Sequence, residues 1–201
     1  VLDQAIALEK ARGHAPDIVN RLVAILHDIG KPRTRRFEAG GKVSFHHHDV
    51  VGAKLATKRM QALHFSSEET KAVAKLIELH LRFHGYSDGE WTDSAVRRYV
   101  RDAGDQLERL HILTRSDCTT RNQRKAQNLR RAYEELEWRI DELSEREELD
   151  AIRPDLDGTQ IMELLGIPEG RDVGQAYKFL MERRMESGPL GEEQARRELL
   201  D

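Results

Sequence analysis

The sequence contains a single cysteine, Cys118, in 201 residues. That excludes an internal disulfide framework and suits a reducing cytoplasm. Aromatic side chains are scarce, at 5% of the chain, which argues against a sandwich or barrel, where aromatic and β-branched strands carry the packing. No apolar run approaches the roughly 18–20 residues that cross a bilayer, so no membrane contact is expected. The first residues do not read as a secretory signal. Neither sign of charge dominates: 33 Lys and Arg stand against 36 Asp and Glu, for a net charge of -3. A case for nucleic-acid binding therefore has to rest on local patches. What remains is a heavily charged globular chain, long enough for one ordinary domain with an appendage or for two small ones.

What is present is helical periodicity. Leu2, Ile6 and Leu8 open a first helix in mid-pattern, with no cap or lead-in, as expected of a segment cut from a longer protein. Pro16 suits a first helical position, and Val19, Leu22, Val23 and Leu26 form an apolar stripe ending at His27-Asp28. Gly30 and Pro32 stop it. Residues 33–47 read as irregular, with a turn at Gly40-Gly41 and at most a stub of strand at Val43-Ser44-Phe45. A helix over about 48–63 follows. Ser66 with Glu69 spells a capping box for a helix carrying Val73, Leu76, Ile77 and His80. Thr92 caps a helix through Val96, Tyr99 and Val100, and Leu107, Leu110, Ile112 and Leu113 carry another toward Asp117. From about 120 to 149 one long helix is expected, because Leu129, Tyr133, Leu136, Ile140 and Leu143 form a coiled-coil-like seam. Three short helices finish the chain. The fold is expected to be all-α, with a bundle over 1–120 and a long helix and tail over 121–201.

Several side chains stand where metal chemistry needs them. His27 and Asp28 are adjacent at a helix end, His48 follows His46 and His47 at a helix entry, His80 lies on an apolar face, and Asp117 follows an apolar helix. Imidazole nitrogen with carboxylate oxygen suits Mn²⁺, Fe²⁺, Co²⁺, Ni²⁺ or Zn²⁺, and carboxylate also suits Mg²⁺. Plainer readings stand beside these: His80 as a hydrogen-bonded core residue, the triple histidine as a solvated loop, Asp117 as a helix cap. His14, His64 and His111 read as structural. Charge is segregated along the long helix. Residues 115–131 hold Arg115, Arg121, Arg124, Lys125, Arg130 and Arg131 against Asp117 alone, and the acids cluster after them. Such a basic end lies along a phosphate backbone or is simply solvated. Lys31, Arg33, Arg35 and Arg36 border the metal motif, where they steer a phosphorylated substrate or form a solvated loop.

Leu26-His27-Asp28-Ile29-Gly30-Lys31-Pro32 resembles the signature of HD-domain metal-dependent phosphohydrolases. That resemblance implies an HD-type bundle holding a divalent metal (Mg, Mn, Ni, Co, Fe or Zn) on His27, Asp28, His48, His80 and Asp117. It further implies that Lys31 stabilises developing charge, and that His48 and His80 complete a second metal site or move protons. The family's early histidine is missing from its expected place before His27, and would lie upstream of Val1. Glu78–Phe83, Trp91–Arg98, Asp155–Gly158 with Met162–Pro168, and Val173–Leu180 resemble the C-terminal half of actinobacterial CCA-adding tRNA nucleotidyltransferases. This implies a tRNA partner, with CTP, ATP and Mg²⁺ used by the full-length enzyme, and RNA contact through Arg121, Arg124, Lys125, Arg130 and Arg131. Nothing here resembles that family's polymerase head. A standalone HD phosphohydrolase acting on nucleotides or 2′,3′-cyclic phosphates, and an RNA-binding module with an inactive metal site, are the competing readings.

Overall fold

A computed structural model describes residues 1–83, 91–118, 120, 122–147 and 152–201. The described residues are helical apart from one two-stranded ribbon, so the fold is all-α. They divide into two compact units, Val1–Glu90 with Asp102–Glu134, and Trp91–Arg101 with Glu135–Asp201.

The first unit begins with α1 (Leu2–Ala11) and α2 (Ile18–Leu26). Asp17, rather than Pro16, starts α2: its carboxylate accepts from the amides of Val19 at 2.8 Å and Asn20 at 3.4 Å, satisfying two donors that a helix start leaves open. Asp17 also accepts from Arg109 Nε at 2.7 Å. Val19, Val23 and Ala24 are buried, which is the stripe that the spacing predicts. After α2 the chain is more regular than expected. A short α3 (Lys31–Thr34) takes Pro32 near its start, where the missing amide costs nothing. The strand β1 (Arg36–Phe37) then pairs antiparallel with β2 (Val43–Ser44), Arg36 opposite Ser44 and Phe37 opposite Val43. Two-residue strands are too short for a periodicity signal.

The helices α4 (His48–Ala62) and α5 (Ser67–Leu79) follow. Ala53, Ala56 and Met60 on α4 and Ala72, Val73, Leu76 and Ile77 on α5 are all buried. Small residues let two helices approach closely, and each fully buried Val, Leu or Ile is worth roughly 1.5–3 kcal/mol. The Ser66–Glu69 capping box forms as the sequence predicts, with both reciprocal hydrogen bonds present. Beyond α6 (Asp93–Ala103), α7 (Leu107–Ser116) buries Leu110, Ile112 and Leu113. The long helix α8 runs Gln123–Glu147. In the first unit its Tyr133 stacks on Phe83 at 3.8 Å between ring centroids and donates its hydroxyl to the Thr114 carbonyl at 2.7 Å.

The second unit packs α9 (Gly158–Leu165), α10 (Arg171–Ser187) and α11 (Glu192–Leu200) around Leu156, Ile161, Leu180 and Ala195. Of the three tail helices expected to be short, α10 is 17 residues long. Leu136, Ile140 and Leu143 of α8 are buried in this unit, in keeping with the seam. Arg97, 4% exposed, grips Glu147 through Nε at 2.8 Å and Nη2 at 2.9 Å, and its Nη1 donates to the carbonyls of Met185 and Glu186 at 3.2 Å. Among the described residues no helix is long and apolar enough to cross a membrane.

Asp17→Ala removes the cap of α2 and should cost about 1 kcal/mol. The measurement is urea unfolding, in which the midpoint falls and the slope is unchanged; Asp17→Asn, which keeps a capping oxygen, should lose less.

Candidate metal centre

Four helix ends of the first unit supply the site. His27 is the C-cap of α2, with Asp28 next in the chain; His80 is the C-cap of α5; Asp117 is the C-cap of α7; His48 is the first residue of α4. Helix ends suit such a site because neighbouring side chains there leave the helical path and can aim at one point. Carbonyls at a helix C-terminus also carry partial negative charge, which favours a nearby cation. Three of these four ends are C-terminal.

The turn between α2 and α3 must come close to α4, and Gly30 is what lets it. A Cβ at Gly30 would lie 2.1 Å from the His48 carbonyl oxygen and 2.8 Å from the Gly52 amide nitrogen. Gly52 answers from the other side, where a Cβ would meet Ile77 Cγ2 at 3.2 Å. His47 adopts a left-handed φ of 60° just before α4, turning the chain so that His48 enters the helix facing the site.

The geometry brings all five expected residues together. His27 Nε2 lies 3.3 Å from Asp117 Oδ1 and 3.4 Å from Asp28 Oδ2, and His48 Nε2 lies 3.3 Å from Asp28 Oδ1. The His80 ring stands edge-on to both other imidazoles, at centroid separations of 5.5 Å from His27 and 5.2 Å from His48. Asp28, His48 and His80 each offer a ligand atom, and these atoms lie within 4.8 Å of one another.

Each imidazole is oriented in the same way. His27, His48 and His80 donate Nδ1–H to the carbonyl three residues earlier, those of Ala24 at 3.1 Å, Phe45 at 2.8 Å and Ile77 at 2.5 Å. A carbonyl only accepts, so Nδ1 carries a proton in each ring and Nε2 is the atom turned to the site, with a lone pair on a neutral ring and a second N–H on a charged one. Sequence reading could not name these carbonyls, because every residue carries one; the spacing of three is visible only once the helix ends are known. The buried Nε2 atoms of His27 and His48 face the Asp28 and Asp117 carboxylates at 3.3–3.4 Å without a well-formed hydrogen bond. Orphaned buried nitrogens call for an explanation, and an imidazole–carboxylate donor set suits a divalent transition metal. The residues present therefore fit the group.

The electrostatics agree. Burial alone would lower the His27 pKa, but Asp117 and Asp28 outweigh it and raise it to about 9. A proton on His27 thus does part of a cation's work between two carboxylates. Burial opposes ionisation of Asp28, yet His27 and Lys31 hold its carboxyl well below the usual range. His80 is shifted down by burial and by the neighbouring His27 and His48, which keeps it neutral and able to donate its lone pair. Lys31 Nζ sits 2.6 Å from Asp28 Oδ2.

The basic residues expected to meet RNA lie apart from this cluster in the chain. Arg124, Lys125, Arg130 and Arg131 are exposed on α8, and none has an ion-pair partner among the described residues. Arg121 lies outside the described residues. His46 and His47 are exposed.

The HD domain family matches residues 4–122. Two curated relatives match most of the chain. One is a CC-adding tRNA nucleotidyltransferase from Thermus thermophilus, 35% identical over 183 residues, which are 90% of this chain and 39% of that protein. The other is an A-adding tRNA nucleotidyltransferase from Deinococcus radiodurans, 33% identical over 171 residues, which are 84% of this chain and 38% of that protein. The chain thus spans about two-fifths of the length of these relatives. No solved structure matches it significantly.

Gly30→Ala should therefore misplace α4 against the metal-centre turn. The expected cost is at least the roughly 1–3 kcal/mol of an overpacked core, with a matching fall in thermal midpoint. Gly174→Ala is the control, since a Cβ there meets nothing within 4 Å in an exposed stretch of α10. It should be neutral or stabilising by up to about 1 kcal/mol.

Proposed function

This chain belongs to the HD-domain family, and from that premise we propose that it is the tRNA-holding region of a tRNA nucleotidyltransferase. Its first unit carries a divalent-metal site suited to phosphoester hydrolysis. The observation that supports the tRNA half most directly is the extent of the likeness. It runs well beyond the length of the HD segment and is shared by two relatives whose names differ in the nucleotides added. A region common to a CC-adding and an A-adding enzyme serves what the two share, the tRNA, rather than the choice of nucleotide. In the full-length protein we take the reaction to be completion of the tRNA 3′ end with CTP and ATP, as the sequence resemblance implies. The exposed cations Arg124, Lys125, Arg130 and Arg131 suit contact with a phosphate backbone, which holds RNA without reading its sequence.

The hydrolytic half is supported by the ligand geometry. Asp28, His48 and His80 would hold the metal, with His27 and Asp117 completing the pocket. When bound, a divalent ion supplies Lewis acidity toward a phosphoryl oxygen and acidifies water. The chain's own residues then set the conditions. Lys31, beside Asp28, offers a cation to phosphate oxygens. His48 and His80, pinned at Nδ1, can face the metal only through Nε2, so any proton carried in this pocket while the metal is bound would fall to His27. The convergence of Asp28, His48 and His80 within 4.8 Å of one another favours a working site over a vestigial one, so hydrolysis of nucleotides or 2′,3′-cyclic phosphates by this site stands as a second reading.

Two measurements test the proposal. Titration with Mn²⁺ or Ni²⁺ should show tight binding that Asp28→Ala weakens by more than the roughly 10–100-fold that loss of an outer partner costs. Unchanged binding would remove the metal assignment. For the RNA half, charge reversal at Arg124 and Arg131 should weaken tRNA binding and flatten its salt dependence, each lost phosphate contact taking roughly 0.7–0.9 from the log–log slope. An unaltered slope means that these side chains are only solvated.

A further inference from the structure

The hairpin between α3 and α4 has no part in the reading above, yet it is chemically unusual. Residues 31–42 carry Lys31, Arg33, Arg35, Arg36 and Lys42 against one acid, Glu38. Two of these six charges are engaged: Lys31 pairs with Asp28, and Glu38 accepts from Ser44 Oγ at 2.6 Å. Arg33, Arg35, Arg36 and Lys42 are exposed and have no ion-pair partner among the described residues. A patch of four unneutralised cations calls for a polyanion.

The hairpin also exposes apolar surface where a folded chain gains nothing from it. Phe37 is 72% exposed and Val43, its cross-strand partner, 44%. Opposite residues of an antiparallel pair share a face, so the ring and the valine lie on one side. The Arg35 guanidinium stacks over that ring, 4.8 Å from its centroid. One ring face is thus covered by a cation and the ring remains largely open to solvent. An open aromatic ring flanked by arginines is the chemistry that holds single-stranded nucleic acid, with bases stacking on the ring and phosphates meeting the cations. A membrane fits less well, because two apolar side chains offer little to bury and the hairpin tip is Gly40-Gly41.

Position adds the second argument. Both legs of the hairpin are fastened to the metal centre. Lys31, at the start of α3, contacts Asp28 and lies 5.8 Å from the Phe45 ring centroid, and Phe45, just after β2, accepts the His48 Nδ1–H bond. Phe37 is six residues from Lys31, so at about 3.4 Å per residue it lies within roughly 20 Å of it. We propose that the hairpin bearing Arg35, Arg36 and Phe37 docks a single-stranded RNA segment and presents it to the metal centre. This makes the phosphoester substrate of that centre an RNA strand or end rather than a free mononucleotide. The proposal rests on the reading of RNA as this chain's partner.

The test uses the 201-residue chain with four probes: a labelled octauridylate, an RNA duplex of equal length, intact tRNA, and phosphatidylserine–phosphatidylcholine vesicles. The wild type should bind octauridylate, and Phe37→Ala should weaken that binding roughly tenfold, within the range that loss of one stacked base gives. Phe37→Tyr should restore it. Arg35→Gln with Arg36→Gln should lower the log–log salt slope by about 1.4. Because Phe37 is exposed, its variants should keep the wild-type thermal midpoint. The proposal is overturned if octauridylate is not bound, or if Phe37→Ala binds it as the wild type does. It is overturned equally if the loss is as large on the duplex, whose bases are closed to stacking, or if Phe37→Ala loses only vesicle binding. Intact tRNA separates the two readings. Failure of the wild type to bind tRNA, with Phe37-dependent octauridylate binding retained, sinks the nucleotidyltransferase reading and leaves the hairpin standing. Binding of tRNA without octauridylate sinks the hairpin alone.

Discussion

The close backbone approach at Gly30 is the constraint on which the first unit depends. The turn after α2 carries Asp28 and Lys31, and the start of α4 carries His48. These groups meet only because the chain at residue 30 has no side chain to hold the two backbones apart. Everything nearby accommodates that contact: Gly52 one turn into α4, the left-handed His47 before it, and Pro32 where an amide is not needed. The motif His27-Asp28-Ile29-Gly30-Lys31 is therefore a packing statement as much as a chemical one. Two of its members, His27 and Asp28, turn polar atoms into the cluster, Gly30 sets a distance, and Lys31 supplies a cation.

The second consequence is electrostatic. Three helix C-termini and two carboxylates face a space that also holds three imidazoles. Negative charge gathered in partly buried surroundings is costly unless a cation balances it. In the free protein the proton on His27 and the ammonium of Lys31 do this, which is why His27 holds its proton to about 9 and the Asp28 carboxyl is pulled down. A metal held there as proposed would replace a proton, linking uptake to proton release. The Nδ1 bonds to Ala24, Phe45 and Ile77 make the exchange clean, since only Nε2 changes partner.

Much of this was legible in the residues. The apolar stripe of α2, the Ser66–Glu69 box, the Thr92 cap and the buried seam of Tyr133, Leu136, Ile140 and Leu143 all announce themselves by spacing, because helix periodicity is a local property. The positions of His27, His48, His80 and Asp117 were legible for the same reason, since they stand at helix ends that the pattern marks. Three features were not. Pro16 suits a first helical position, yet Asp17 caps α2, since either residue can stand at a helix start and only the hydrogen bonds choose. The pairing of Arg36–Phe37 with Val43–Ser44 is too short to leave a period. The partners of Arg97 lie 50 and 88 residues away, and charge alone does not say which acid an arginine will find.

That last case clarifies what buried charge means in this chain. In the second unit, Arg97 meets both oxygens of Glu147 and the carbonyls of Met185 and Glu186, while Arg184 donates to the Glu147 carbonyl at 3.0 Å. Arginines thus satisfy the last carbonyls of α8 and α10, which their helices leave unpaired, and Glu147, held ionised by Arg97, offsets part of their charge. Every strong group of Arg97 has a partner inside the protein, and the one spare donor of the network, Arg184 Nη1, lies 3.9 Å from Glu147 Oε2, so the network acts as a clamp. In the first unit the buried Nε2 atoms of His27 and His48 face carboxylates at 3.3–3.4 Å without a well-formed hydrogen bond. Folding tolerates such a deficit only at a cost that another ligand can remove. The two networks differ in what their spare atoms are: in the second unit a guanidinium nitrogen, which can only donate, and in the first unit imidazole nitrogens beside carboxylates, a donor set suited to a divalent cation.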